Sequence, residues 1–227
     1  MAADNSQHTS KLKIYRLLRR EIINGRRFPG ERLTIDDLAR TFGTSVTPVR
    51  DALQMLGQEG LVTIRPRAGY FVSQITLKQL HDMLELREIL EVAAVERAAA
   101  RIDADEIAVL RAVHGGYTGD DDDSYARYTE ENRRFHCLLA EASGNHELTA
   151  VLGRLHDRLA RFMVIRHGGE NQPRIHGRLV ERLVENDVTG ARQAIRKELE
   201  DTRQAILERV MQEEAANWHL GATEAAQ

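Results

Sequence analysis

Thr47, Arg50 and Gln54 fall on one side of the helical stretch SVTPVRDALQMLG, and Arg65 and Arg67 flank the tip of a turn that follows it. Hydroxyl, guanidinium and amide groups hydrogen-bond the base edges and phosphate oxygens of duplex DNA, and arginine supplies the commonest paired contact to guanine. Recognition is the chemistry these residues suit. The chain carries no HExxH pair and no nucleophile motif, so the sequence does not point to an enzyme.

Those side chains need elements to hold them out. Ser45 is the expected N-cap of their helix, which places Pro48 in the first turn, where its missing N–H has no intrahelical acceptor to lose. Val49, Ala52, Leu53 and Leu56 then form an apolar stripe, with Thr47, Arg50 and Gln54 away from its centre. Upstream, Thr34 and Asp37 approximate a capping box on a helix that buries Leu38, Ala39 and Phe42 and stops at Gly43. Residues 9–24 carry a broader apolar face that ends at Gly25. After Gly60, the runs LVTIR and YFV enclose PRAG and read as a hairpin. Two helices around a tight turn, then a small hairpin, can lay one helix in the major groove with a wing on the neighbouring backbone.

A length of 227 residues suits two modest domains, and 42% hydrophobic with only 5% aromatic content implies cores of Leu, Ile, Val and Ala. The net charge of −3 speaks against nucleic acid, but residues 1–74 carry +5 and residues 75–227 carry −8. That division describes a basic reading head on an acidic body. No apolar run is long enough to span a membrane, and MAADNSQHTS lacks the apolar core of a secretory signal. Cys137 is the single cysteine, which fits a reducing cytoplasm.

A connector at 75–78 leads to helical patterns over 79–212, and 213–227 reads as a flexible tail. Asp103, Ser124 and Asn145 are expected to open helices, and Asp120–Asp123 reads as a solvated loop rather than a calcium site. The fold class is mainly α: an N-terminal winged helix-turn-helix domain over 9–74 and a C-terminal antiparallel all-α bundle of about six helices.

The stretch LTIDDLARTFGTSVTPVRDALQMLGQEGLV…RPRAGYFV resembles the winged-helix domain of GntR-type bacterial transcription regulators over about residues 9–74. The resemblance implies a homodimer on an inverted-repeat operator in double-stranded DNA. Carried over by position, Ser45, Thr47 and Arg50 are recognition-helix contacts, and Arg67 with Gly69 are wing contacts. Two positions depart: Val46 stands where relatives are often basic, and Asp36 where some place a DNA-contacting arginine. Both remove guanine readers, so the operator cannot be borrowed from relatives.

The succession LREILE…FH…ASGN…H…D resembles the FCD-type ligand-binding domain of the FadR branch over about residues 78–212. It implies an effector pocket inside the bundle, often with a divalent metal and a small carboxylate metabolite. The family's usual ligands are an Asp or Asn and three histidines; the matching residues here are Asn132, His136, His176 and Glu198. Asn132 and His136 leave one face of one helix, and Glu198 follows His176 by 22 positions. Two imidazoles, a carboxylate and an amide oxygen suit Zn²⁺, Mn²⁺ or Ni²⁺ and leave positions for an effector carboxylate. Glu198 adds negative charge and hardness, which shifts preference toward Mn²⁺-like ions. The alternative is a metal-free pocket that keeps two histidines for hydrogen bonding.

Arg87, in LREILE, matches a family arginine that reaches the pocket and pairs with a carboxylate, although an ordinary salt bridge explains it nearly as well. Arg158 and Arg161 are further carboxylate partners or parts of a charged helix face. His81, His114, His146, His156 and His167 read as surface or structural, Cys137 as core packing, and no organic cofactor is expected. The leading reading is a dimeric, ligand-responsive repressor in the cytoplasm, controlled by a carboxylate metabolite and independent of any membrane. The alternatives are a regulator for which the ion itself is the signal, and a metal-dependent enzyme with a DNA-binding appendage.

Overall fold

The computed structural model describes residues 2–114, 122–165 and 171–214, which divide into two compact units between Leu77 and Lys78. The first contains α1 (Ala2–Ile23), β1 (Arg32–Leu33), α2 (Ile35–Phe42), α3 (Val46–Gln58), β2 (Val62–Arg65) and β3 (Gly69–Val72). Helix α1 starts well before the expected residue 9. The strands form an antiparallel sheet in the order β1-β3-β2. Strand β1 has no counterpart in the sequence reading, because two residues are too short for an alternation pattern to register.

This unit is built around α3. Leu18 and Ile22 of α1 and Val49, Leu53 and Leu56 of α3 are almost completely buried in one cluster with Leu33, Leu38 and Val72. Each such side chain contributes about 1.5–3 kcal/mol of transfer free energy. Gly43 ends α2 in the left-handed region (φ 61°), its N–H bonding back to Ala39 and Arg40 carbonyls, and the chain turns directly into α3. Thr34 and Ser45 occupy the N-cap positions in extended backbone, but neither side chain makes a capping hydrogen bond. The expected Thr34–Asp37 capping box is therefore absent; Asp37 pairs instead with Arg40.

In the second unit the described helices are α4 (Leu77–Ala99), α5 (Ala104–Arg111), α6 (Asp122–Ala142), α7 (His146–Ile165), α8 (Gln172–Val184) and α9 (Val188–Glu214). They form a helical bundle. Helix α4 begins inside the stretch read as a connector, and α6 begins two residues before Ser124. Asp103 and Glu106 make a complete capping box on α5, and Asn145 Oδ1 accepts from the Leu148 N–H at 3.1 Å at the start of α7. Phe135, Leu139, Leu179, Leu183 and Ile195 lie in the main apolar cluster, joining α6, α8 and α9. Most of the GGYTGDDDDS loop, His167 and nearly all of the 213–227 tail lie outside the described residues.

Candidate functional site

The first unit presents a polar surface around α3. Ser45, Thr47, Arg50 and Gln54 are exposed, while Val49, Leu53 and Leu56 on the opposite side fill the core. Val46 is exposed too, so the helix leads with an apolar side chain. In the wing, Arg65 pairs across the ladder with Gly69, and the Ala68 N–H bonds the Arg65 carbonyl at 3.1 Å. Pro66 and Arg67 are the central residues of that turn, and Arg67 has φ 63°. This is the arrangement of a type II turn, whose third position ordinarily selects glycine. An exposed arginine held there keeps a guanidinium at the wing tip despite backbone strain. The Arg65 guanidinium lies 4.6 Å from the Phe71 ring centroid, a cation–π contact along the same hairpin.

In the second unit, Asn132 and His136 of α6, His176 of α8 and Glu198 of α9 are all buried, and they meet. Glu198 Oε1 lies 2.9 Å from His176 Nε2 and 3.3 Å from His136 Nε2. Asn132 Oδ1 reaches the same place through the side-chain amide of Gln172, which lies 2.8 Å from it and 3.0 Å from Glu198 Oε1. Each imidazole is oriented from behind. His136 Nδ1 pairs with the Glu91 carboxylate, and His176 Nδ1 is 2.6 Å from His114 Nε2. Phe135 stacks flat on His176 with centroids 3.7 Å apart. Both Nε2 atoms thus face the Glu198 carboxylate, the orientation that a carboxylate or imidazole behind a metal-binding histidine imposes.

Glu91 holds the other side of the network. Its Oε1 accepts from Arg87 Nε at 2.6 Å and from His156 Nε2 at 3.0 Å. Arg87, also buried, extends Nη2 to 3.1 Å from His136 Nε2, so its guanidinium borders the cluster while paired along α4. Burial alone would neutralise both carboxyls. Arg87 and His136 instead hold Glu91 well below the usual carboxylate range, and His176 and His136 do the same for Glu198. Burial pushes His136 down, but Glu91 and Glu198 on its two sides outweigh it and raise it. Burial lowers His176, and it lowers His156 and His114 to about 4, with Arg87 adding to the effect at His156 and His176 at His114. Two buried carboxylates therefore face one guanidinium, and the cluster favours one further positive charge.

A divalent ion fits that demand. Atoms bound to one ion at about 2.0–2.2 Å stand roughly 3.0–3.5 Å apart. The Glu198–His176 and Glu198–His136 separations of 2.9 and 3.3 Å match, and the three donor atoms lie within 4.8 Å of one another. Glu198 Oε2 is buried without a hydrogen-bond partner among the described residues, as a ligand awaiting a cation would be.

His114 and His156, read from sequence as surface or structural, belong to this network, and Glu91 and Gln172 were not singled out at all. Only Glu91 left a local trace, standing four residues after Arg87 on one helix face. The others arrive from separate helices, which no spacing rule reports. His81 and His146 are exposed. Arg161 is buried and burial lowers it to about 10; Cys137 is half-buried and burial raises its thiol to about 11, away from reactive thiolate character.

Family comparisons agree with this two-part geometry. Residues 10–72 match the family described as bacterial regulatory proteins, gntR family, and residues 82–201, more than half the chain, match the FCD domain. The HTH-type transcriptional regulator YdhC of Bacillus subtilis is 29% identical over 196 residues, covering 81% of this chain and 85% of that protein. The HTH-type transcriptional repressor GlaR of Escherichia coli is 31% identical over 156 residues, covering 66% of this chain and 71% of GlaR. A putative GntR transcriptional regulator from Rhodococcus sp. RHA1 shares the fold with a TM-score of 0.69 at 20% identity, over 88% of this chain and 98% of that one. With a DNA-binding head and a helical effector domain joined in one polypeptide, the chain belongs to the GntR family of bacterial transcriptional regulators, in its FCD-containing branch.

Proposed function

We propose that this regulator is a homodimeric repressor that binds an inverted-repeat operator and is controlled by a small carboxylate metabolite bound at a divalent ion in the FCD domain. The observation that carries the reading is the buried meeting of His136, His176, Glu198 and Asn132 with the Arg87 guanidinium alongside. The ion supplies a Lewis-acidic point for the effector carboxylate. His136 and His176 present neutral Nε2 lone pairs when it is bound, Glu198 offsets part of its charge, and Glu91 and His114 keep the two rings aimed. Arg87 is the paired donor for a second carboxylate oxygen, in competition with Glu91. GlaR and RspR of Escherichia coli, both similar to this chain, are named repressors, and that likeness favours repression here.

On DNA, Ser45, Thr47 and Arg50 read base edges, and Arg67 with Gly69 hold the wing to the backbone. The protein works in the cytoplasm, where its operator is. An effector with different affinity for two placements of the paired reading heads changes operator occupancy, and nearly complete switching takes several kcal/mol of difference.

The test is fluorescence anisotropy of the full-length protein on its own promoter DNA against random competitor, after chelation, after Mn²⁺ return and after added carboxylates. Promoter preference that a carboxylate changes only in the presence of Mn²⁺ supports the proposal. If Mn²⁺ alone controls affinity, the ion is the signal. Indifference to both removes the sensing role, and loss of promoter preference removes the operator.

A further inference from the structure

Gln172 occupies the point where the donor atoms converge. Its side chain is 1% exposed, and its Nε2 lies 2.8 Å from Asn132 Oδ1, 2.6 Å from His176 Nε2 and 3.0 Å from Glu198 Oε1. Asn132 Oδ1 and Glu198 Oε1 present lone pairs, so the amide turns its NH₂ toward them, and its Oε1 accepts from the Tyr128 hydroxyl at 3.4 Å; His176 Nε2 lies 2.9 Å from the same Glu198 oxygen. An NH₂ group has two hydrogens, enough for the two oxygens but not for His176 Nε2 as well when that nitrogen is unprotonated. Glu198 Oε2 has no hydrogen-bond partner among the described residues, so the lone pairs gathered here are incompletely served. A cation at this point can bond every one of them at once.

We infer that Gln172 is an internal plug: its amide stands in for the divalent ion among Asn132, His176 and Glu198, and the side chain has to leave before an ion can enter. An amide NH₂ turned toward these groups has no lone pair to give an ion, so the NH₂ and an ion bound to the same atoms exclude one another. Gln172 is the first residue of α8 and is followed by Pro173, which holds the backbone of that turn in helical conformation. Entry of the ion is thereby tied to a side-chain rearrangement at the start of α8, and the plug lowers apparent affinity while leaving the ligand set intact. This rests on the ion-binding reading proposed above and adds a residue that sets the affinity of that site.

Calorimetric titration of Mn²⁺ into chelated full-length protein tests it, comparing wild type with Gln172→Ala. Removal of the plug is expected to tighten binding about tenfold, equivalent to ~1.4 kcal/mol. Gln172→Asn, whose amide is one methylene shorter and cannot reach the three groups together, is expected to tighten it as well. Should both variants fail to fold, wild type alone decides through nitrogen-15 NMR. One glutamine NH₂ pair is then expected to be protected from solvent exchange, and to lose that protection when Zn²⁺ is added. Unchanged or weaker Mn²⁺ affinity in both folded variants overturns the plug while ion binding stands, as does an NH₂ pair that stays protected with Zn²⁺ bound. Absence of binding in wild type and variants alike overturns the ion-binding reading and the plug together.

Discussion

At the scale of the residue, two side chains define the two halves of the molecule. Arg50 is exposed on α3, clear of the core that Val49 and Leu53 fill. Arg50→Ala is expected to weaken operator binding by about 1–3 kcal/mol with unchanged thermal stability. Anisotropy measured beside a melting curve checks it, and a loss under twofold would remove Arg50 from the reading surface. His156 makes the contrasting case. Burial and the adjacent Arg87 lower it to about 4, so it stays neutral in the fold, while the unfolded imidazole takes a proton below about 6.5. The unfolded state then binds more protons, and stability is lost as pH falls from about 6.5 toward 4. For this one group the loss is on the order of 2–3 kcal/mol by pH 4.5. His156→Gln retains a donor for Glu91 without titrating, so urea midpoints at pH 7 and pH 4.5 are expected to lie closer together than in wild type. Equal pH sensitivity in both proteins would contradict the assignment.

At the scale of the element, the wing is expected to set stability against recognition. Arg67 takes φ 63° in a turn position suited to glycine, and its side chain is exposed at the tip. Arg67→Gly removes the left-handed strain of an L-residue, partly offset by the greater freedom of glycine in the unfolded chain. A gain of about 0.5–1 kcal/mol is expected, read as a higher melting temperature, together with weaker DNA binding. A variant that is both less stable and tighter on DNA would reverse the argument. The hairpin, its Pro/Gly loop and the α3 stripe were legible in the sequence because period and turn chemistry are local. The side-chain caps at Thr34 and Ser45 were not, since a hydroxyl in cap position still has to turn toward the helix N–H groups.

At the scale of the whole molecule, the charge division carries an expectation for how the protein meets DNA. The +5 of residues 1–74 against the −8 of residues 75–227 places the phosphate-neutralising charge in the reading unit. Operator affinity is expected to fall steeply between 50 and 200 mM salt, with a log–log slope of about −0.9 per phosphate contacted. Arg67→Gly is expected to flatten that slope by about one contact. An affinity indifferent to salt would mean that phosphate contacts do not anchor the complex.

By itself the sequence determined the two-part plan, the exposed polar face of α3, the hairpin after it and the positions of four candidate ligands. Periodicity, glycine stops and helix spacing act between residues a few places apart, and the family motifs record them directly. Tertiary structure alone decided the surroundings of the candidate site. Glu91 meets His156 across 65 positions, His114 meets His176 across 62, and the Gln172 amide reaches Asn132 across 40. Those meetings depend on how α4 to α9 pack, and burial then turns ordinary polar side chains into a charged cluster whose members must satisfy one another.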